Sequence, residues 1–260
     1  MEAHRARKRF GQHFLHDANV IAKIVRAIAP KTGETVAEIG PGLGALTKPL
    51  LDAAGKLQVI ELDRDVIPHL LKACGDSPAL TIHQADALSF DYRALKPAEG
   101  KLRLCGNLPY NISTPLLFHL LEQSDAIADM HFMLQKEVVQ RICAEPDSEH
   151  YGRLTVAIAA RAAAVSLFEI GPGAFRPPPK VDSAVVRLTP RPPPFVIADL
   201  ARFDEVVKRA FAQRRKTLNN TLKGLLSTEQ IRAAGIDPGA RAEQLAPVDF
   251  ARLAAQLGNL

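Results

Sequence analysis

Cysteine is scarce in this sequence. Its three cysteines, Cys74, Cys105 and Cys143, are widely spaced and form no C-x-x-C pair. This spacing excludes a disulfide framework and a cysteine-rich zinc cluster. The histidines also lack metal-ligand spacing, so we expect no bound metal. We interpret five of them as structural or surface residues: His69, His83, His119, His131 and His150. We therefore predict a protein of a reducing compartment, the cytoplasm.

Long apolar runs are missing as well. No run approaches the roughly 20 residues that a membrane-spanning helix needs, so we expect no membrane association. The first ten residues, MEAHRARKRF, are followed by no apolar core of a secretory signal. An arginine-rich start is compatible with a transit peptide, but an ordinary basic arm is the preferred interpretation. The sequence contains no internal repeat and no low-complexity tract.

Positive charge is in excess, and the 260-residue chain has a formal net charge of +5. Such an excess is typical of proteins that bind a polyanion, although a single basic cluster is more often a solvated surface. Two clusters stand near opposite ends of the chain and could form one polyanion-binding surface when folded: Arg5, Arg7, Lys8, Arg9 and Arg214, Arg215, Lys216.

The order of apolar segments indicates an α/β protein. From about residue 17 to 135, strand-like runs alternate with helix-like segments, which predicts a parallel sheet with helices on both faces. Two later β-rich stretches, 163–170 and 183–188, are predicted to add a hairpin. The proline-rich segment 190–194 then indicates a stiff linker before a helical region. We predict two domains, 1–189 and 190–260.

Side chains suited to a nucleoside follow three successive predicted strands. Gly40 and Gly42 lie in the turn Glu38-Ile-Gly-Pro-Gly-Leu-Gly44, where the backbone can approach a ligand closely. Glu61 ends the next strand and can accept hydrogen bonds from both ribose hydroxyls. Asp86 follows the third strand and can accept from an adenine amino group. The set predicts an adenosine ligand, either NAD or S-adenosylmethionine.

The tetrapeptide Asn107-Leu108-Pro109-Tyr110 follows the fourth predicted strand. By composition it resembles an ordinary turn. It also suits methyl transfer to an adenine amine, which is a poor nucleophile because its lone pair is delocalised into the ring. The Asn107 side-chain oxygen and a backbone carbonyl held by the proline can accept the two amine hydrogens and orient the lone pair. The Tyr110 ring can stack on the base.

These four residues resemble the motif of amino-methyltransferases, and with leucine second they are similar to the rRNA adenine-N6 dimethyltransferases. The resemblance extends from about Lys8 to Phe250. Further segments that carry it are Lys8–Gln12, Glu38–Gly42, Val59–Asp65, Gly106–Pro115, Met133–Glu137, Tyr151–Leu154, Phe175–Ser183 and Ala212–Thr217. The resemblance implies a Rossmann-like class I methyltransferase with a mostly parallel seven-stranded sheet and a small C-terminal helical domain.

The resemblance also implies roles for single residues. The cofactor contacts of the family correspond to His13, Leu15, Gly40, Glu61, Asp86 and Asn107. His13 departs from the family, which usually has asparagine there, so a contact through that side chain is uncertain whereas a backbone contact would survive. Phe175 is implied to hold the target base against Tyr110.

The small-subunit members of this family dimethylate two adjacent adenosines in a hairpin loop near the 3′ end of 16S rRNA. The resemblance implies the same reaction here, with S-adenosylmethionine as cofactor, an immature 30S particle as substrate and a role in ribosome assembly. With such a substrate, both basic clusters are predicted to bind RNA, and the second, on a helical segment, is predicted to contact rRNA phosphates. We expect a monomer.

Three alternatives remain open. The 23S rRNA adenine-N6 methyltransferases share the fold and a similar tetrapeptide, but Asp182 and the run Gln213-Arg-Arg-Lys-Thr217 favour the small-subunit type. An RNA-binding assembly or transcription factor that has lost catalysis would be expected to have degraded cofactor residues. A nicotinamide oxidoreductase would be expected to have a G-x-G-x-x-G turn and a proton donor, and neither is evident.

Overall fold

The computed structural model describes residues 13–258, which form two compact units. The first unit contains the described residues up to 139 together with 165–190, and the second contains 140–164 together with 191–258. Within residues 13–258, no helix is both long and apolar enough to cross a membrane.

The first unit is built on a central sheet of seven strands. They are β2 (Val36–Ile39), β3 (Leu57–Glu61), β4 (Leu80–Gln84), β5 (Leu102–Asn107), β6 (Ile127–Gln135), β7 (Ala162–Ile170) and β9 (Ser183–Pro190). The strand order is β4-β3-β2-β5-β6-β9-β7. The first five strands in this order pair in parallel, whereas β9 pairs antiparallel with β6. The predicted mostly parallel seven-stranded sheet is therefore confirmed.

Four helices lie wholly within this unit: α1 (Ala18–Ile28), α2 (Thr47–Ala54), α3 (Ile67–Ala73) and α4 (Ser113–Leu121). Asp17 caps α1, because its side chain accepts hydrogen bonds from the amides of Asn19 and Val20. The apolar spacing of α1 buries Ile24 and Ile28 in the same core as β2 and β3. All four residues of β2 are buried, as expected for a central parallel strand.

A second, two-stranded sheet is formed by β1 (Phe14–Leu15) and β8 (Phe175–Arg176), which pair antiparallel. Phe14 lies opposite Arg176, and Leu15 lies opposite Phe175. The amide of His16 extends this contact by donating to the carbonyl of Ala174 at 2.9 Å. The pairing joins the N-terminal part of the described chain to the loop that precedes β9.

The second unit is helical. After α5 (Lys136–Ile142), which crosses the boundary between the units, its helices are α6 (Arg153–Ala159), α7 (Leu200–Ala210), α8 (Leu218–Thr221), α9 (Thr228–Ala233) and α10 (Pro247–Ala255). Residues 140–164, which the sequence analysis assigned to the first domain, belong to this unit instead. The reason is that Tyr151 and Val156 are buried in one core with Phe203 and Phe250. The Tyr151 hydroxyl also donates to the carbonyl of Leu245 at 2.7 Å.

Candidate active site

A cavity of about 860 Å³ lies in the first unit, at the carboxyl ends of β2, β3, β4 and β5. This edge is where open α/β sheets bind ligands. Ten residues predicted from the sequence line it together: His13, Leu15, Gly40, Gly42, Glu61, Asp86, Asn107, Leu108, Pro109 and Tyr110.

The glycine-rich turn after β2 adopts a backbone conformation that other residues rarely adopt. Gly40 has φ +67° and Gly42 has φ +54°. A Cβ on Gly42 would lie 3.2 Å from the ring of Phe14, which itself lines the cavity. The Gly40 amide donates to the carbonyl of Ile60 at 2.9 Å, which holds the turn against the end of β3. The turn therefore brings backbone to the cavity wall with little room for a side chain.

Glu61 ends β3 and is almost completely buried. One carboxylate oxygen accepts from the amide of Asp63 at 2.8 Å and the other from the amide of Gly42 at 3.3 Å. Burial raises the pKa of Glu61 above its ordinary value, and these amide donors oppose the rise. Asp86, which follows β4, is exposed at the cavity, and one of its oxygens accepts from the amide of Leu88 at 2.9 Å.

Glu38 is an acid of the cavity to which the sequence analysis assigned no role. It lies in β2, only 2% exposed, and its Oε2 atom has no hydrogen-bond partner among the described residues. Burial raises the pKa of Glu38 to about 7, and the nearby charge of Glu61 adds to the rise. A buried, unsatisfied carboxyl at a cavity wall is suited to a cationic ligand group. The signal in the sequence was an acid two residues before the first glycine of the turn.

Asn107 is held in a defined orientation at the end of β5. Its side-chain nitrogen donates to the carbonyl of His13 at 3.0 Å, so the amide oxygen is the atom available to a ligand. Leu108 is 1% exposed as a whole residue, so its side chain is buried, although the residue lines the cavity. The Pro109 carbonyl accepts from the amide of Ile112 at 3.2 Å, whereas the Leu108 carbonyl accepts no hydrogen bond from the described residues. Within residues 13–258, the Asn107 side-chain oxygen and the Leu108 carbonyl are therefore two acceptors that receive no hydrogen bond.

Tyr110 is positioned from two sides. Its hydroxyl shares a hydrogen bond of 2.8 Å with the hydroxyl of Ser183, at the start of β9. Burial raises the pKa of Tyr110. The His13 ring stacks on the tyrosine with centroids 5.7 Å apart and planes 28° from parallel. His13 is itself held because its Nδ1–H donates to the carbonyl of Pro177 at 2.8 Å.

The expectation that Phe175 holds the target base is not supported, because its side chain points into the core. Phe175 is 2% exposed and packs in the core of the first unit, outside the set of residues that line the cavity. Successive side chains in a strand point to opposite faces, so the residue that β8 turns to the cavity is Arg176. A base that enters this cavity meets Tyr110 and His13 rather than Phe175.

Gly106 is a second residue whose importance the sequence analysis missed. A Cβ at this position would lie 2.3 Å from the carbonyl oxygen of Ile39 in β2. Only glycine permits this close approach of β5 to β2, immediately before Asn107. The sequence showed a glycine in a strand, which is the ordinary signal of such an approach.

Of the predicted RNA-binding residues, the three that the structure describes, Arg214, Arg215 and Lys216, do not line this cavity. Arg5, Arg7, Lys8 and Arg9 lie outside the described residues. The other cluster follows α7 in an exposed turn of the second unit, not in a helix as the sequence analysis expected, because α7 ends at Ala210. Arg214 donates to the carbonyl of Glu149 at 2.7 Å and lies 3.5 Å from the carboxylate of Glu243. Arg215 and Lys216 are exposed.

Metal ligands are not assembled in the part of the chain that the structure describes: no three or more His, Cys, Asp or Glu side chains are grouped to hold an ion.

The chain is similar to known proteins over nearly its whole length. A sequence model of the family described as ribosomal RNA adenine dimethylase matches residues 3–258. Among curated proteins, ribosomal RNA small subunit methyltransferase A of Pseudomonas aeruginosa is 56% identical, over 99% of this chain and 96% of that protein. The protein of the same name from Alcanivorax borkumensis is 54% identical, over 98% of this chain and 91% of its own length.

Two solved structures are similar over nearly the whole chain. A dimethyladenosine transferase from Plasmodium falciparum is 25% identical with a TM-score of 0.75, covering 93% of this chain and 96% of that one. The 23S rRNA methyltransferase ErmE is 26% identical with a TM-score of 0.71, covering 95% of this chain and all of that one.

Proposed function

This chain belongs to the ribosomal RNA adenine dimethylase family, and from that membership and the geometry of its cavity we propose how and where it acts. It is an S-adenosylmethionine-dependent methyltransferase that converts adenine amines of 16S rRNA to N6,N6-dimethyladenine. The names of its relatives at 56% and 54% identity favour the small ribosomal subunit over the 23S rRNA alternative. The nicotinamide alternative is excluded by the family.

The finer assignment of substrate is our proposal. The two target adenosines are adjacent in the 3′-terminal hairpin loop of 16S rRNA, and the particle that presents them is an immature 30S subunit. We propose that the protein acts as a monomer in the cytoplasm and contributes to assembly of that particle. Unpaired loop nucleotides support this choice, because a base must leave its stack to enter a cavity of this kind.

The residues at the cavity fit S-adenosylmethionine. The unsatisfied carboxyl of Glu38 suits the ammonium of its methionyl part, since no described side chain satisfies that oxygen. Each carboxylate oxygen of Glu61 has a lone pair beyond the one that accepts a backbone amide, and these suit the ribose hydroxyls. Asp86 suits the adenine amino group. When bound, this cofactor supplies a methyl group on a sulfonium centre that is a good leaving group.

The acceptor amine is held by the tetrapeptide. We propose that the side-chain oxygen of Asn107 and the carbonyl of Leu108 accept the two N6 hydrogens and direct the nitrogen lone pair toward the donor. The bond from Asn107 to the His13 carbonyl supports this role, because it fixes which amide atom faces the base. Tyr110 provides the aromatic surface for the base, with its hydroxyl anchored on Ser183. Positioning carries the catalysis.

Methyl transfer to defined particles tests the function. Purified protein is incubated with tritiated S-adenosylmethionine in three parallel reactions, with methyl-deficient 30S subunits, with 50S subunits and with naked 16S rRNA. The modified nucleotides are then mapped by mass spectrometry. We expect incorporation into 30S subunits at two adjacent adenosines, with up to four methyl groups. Incorporation into 50S subunits alone would contradict the proposal.

Asn107→Ala separates catalysis from binding. We expect kcat to fall by at least about 100-fold, because one of two preorganised acceptors is lost. The affinity for 30S subunits should stay within about twofold, since phosphate contacts carry most of the affinity. Sedimentation binding and single-turnover methylation on the same particles measure the two effects. Parallel loss of binding and activity would contradict this division of roles.

A further inference from the structure

The cavity wall has a strongly uneven charge distribution. Its carboxylates come from the ends of β2, β3 and β4: Glu38, Glu61, Asp63 and Asp86. Among the described lining residues, Arg176 is the single arginine or lysine. This distribution needs an explanation, because the reaction brings together a cationic methyl donor and a polyanionic RNA.

Arg176 is directed to the cavity by the two-stranded sheet. Pairing of β1 with β8 places Arg176 opposite Phe14 and places Phe175 opposite Leu15. Leu15 and Phe175 are buried, so alternation along the strand turns Arg176 to the other face. The side chain is exposed, and no salt bridge between it and a carboxylate is found within residues 13–258. Among the described residues, its guanidinium is therefore not committed to a carboxylate.

The arginine stands on the acceptor side of the cavity. Its neighbour Pro177 also lines the cavity and accepts the hydrogen bond of the His13 ring, which stacks on Tyr110. The carboxylates that suit the donor follow other strands. A nucleotide whose base lies against Tyr110 brings its own phosphates to the same side, where the four carboxylates would otherwise repel them.

We propose that Arg176 binds a backbone phosphate next to the extruded adenosine. A guanidinium forms paired, charge-assisted hydrogen bonds with phosphate oxygens, and such contacts set the register of a nucleic acid on a protein. This inference rests on the proposed function. The same guanidinium chemistry would fit the carboxylate of the methyl donor, and the experiment distinguishes the two anions.

Steady-state kinetics of Arg176→Ala test the proposal, with 30S subunits and S-adenosylmethionine varied separately. We expect kcat/KM for 30S subunits to fall about 10- to 100-fold, as for loss of one charged hydrogen-bonded contact. The KM for S-adenosylmethionine should stay within about twofold. The slope of log kcat/KM against log salt should become shallower by about 0.7, the value for one phosphate contact on a single strand. Arg176→Lys should recover part of the loss, since lysine retains the charge without the paired geometry.

The matched control is Arg26→Ala, which removes an exposed arginine of α1 outside the cavity. It should leave all three quantities unchanged. Arg176→Gln provides the same test if the alanine variant melts at a lower temperature than wild type. A raised KM for S-adenosylmethionine with unchanged 30S kinetics would assign Arg176 to the donor carboxylate and overturn the proposal.

Kinetics indistinguishable from those of Arg26→Ala would also overturn it. Either result leaves the proposed function intact, because that function fails only if the wild-type protein does not methylate adenosines of 30S subunits.

Discussion

His13 contributes to the site through two different parts of its structure. Its carbonyl accepts from the side chain of Asn107, while its ring stacks on Tyr110 and donates to Pro177. The carbonyl contact does not depend on which side chain is present at this position. Asparagine also has a side-chain N–H that could replace the Nδ1 donor.

His13→Asn and His13→Ala distinguish the donor from the ring. We expect the asparagine variant to keep kcat within about threefold, because the donor to Pro177 and the carbonyl contact remain. The alanine variant loses the donor, so its free energy of unfolding should fall by about 1 kcal/mol. Its kcat should fall further than that of the asparagine variant. Denaturant unfolding and single-turnover methylation give the two values, and equal impairment of both variants would show that the ring is the essential part.

Glu38 makes stability depend on pH. The pKa of its carboxyl is raised to about 7 in the folded protein, against an ordinary value of 4.5. The folded state therefore keeps a proton that the unfolded state releases, and this stabilisation is complete below pH 4.5 and is lost as pH rises through 7. The difference in unfolding free energy between wild type and Glu38→Gln should change in that window, in the direction of weaker wild-type stability at higher pH.

Urea unfolding of both proteins between pH 4.5 and 8.5, without cofactor, measures this difference. Glu61, whose pKa is also raised, is present in both proteins, and Glu61→Gln measured in the same way shows how much of the profile comes from its interaction with Glu38. Parallel pH profiles would contradict the assignment to Glu38.

At the scale of elements, the strands that position the site could be predicted because each is an apolar run followed by its functional side chain. Glu61 and Asn107 end β3 and β5, Asp86 follows β4, and the parallel sheet brings the ends of these strands to one edge. The direction of Phe175 could not be predicted in this way. It depends on the pairing of β8 with β1, two strands of two residues each that are far apart in sequence and carry no periodic signal.

Gly106→Ala tests how closely β5 must approach β2. The added Cβ would overlap the Ile39 carbonyl, so the two strands must separate immediately before Asn107. We expect the free energy of unfolding to fall by about 1–3 kcal/mol. Methyl transfer should fall more than stability alone explains, since Asn107 moves with its strand. Gly173→Ala, in a turn where an added Cβ meets no atom within 4 Å, is the matched control. Wild-type stability and kcat for Gly106→Ala would contradict the argument.

At the scale of the whole molecule, the number of units and their fold types could be predicted, but the course of the chain between them could not. The apolar pattern of residues 153–159 predicts a segment that is buried in a hydrophobic core. Which of two cores it joins is decided by partners such as Phe203 and Phe250, which come much later in the sequence. A linear reading assigns each segment to the domain of its neighbours, and it fails where the chain crosses between the units three times, after residues 139, 164 and 190.

The exposed turn of the second unit should contribute to rRNA binding through two of its three predicted residues. We expect Arg215→Ala with Lys216→Ala to weaken 30S binding and to make its salt dependence shallower by about 1.4 to 1.8, the value for two phosphate contacts. Arg214 is held by Glu149 and Glu243, so we do not include it. Lys223→Ala with Arg232→Ala removes the same charge from exposed residues of the same unit and should leave the salt slope unchanged. An unaltered slope for the first pair would contradict the placement.

The alternation of the chain between the two units also has a consequence for synthesis on the ribosome. All strands of the sheet have been synthesised once β9 is complete. The apolar side chains of α6, however, pack in a core with α7 and α10, which are synthesised later. At about 5–20 residues per second, the interval between the synthesis of α6 and that of α10 is on the order of ten seconds. A nascent chain that stops near residue 190 therefore contains every strand of the sheet but leaves the apolar side chains of α6 uncovered. We expect such a chain to bind chaperones rather than to act as a smaller enzyme.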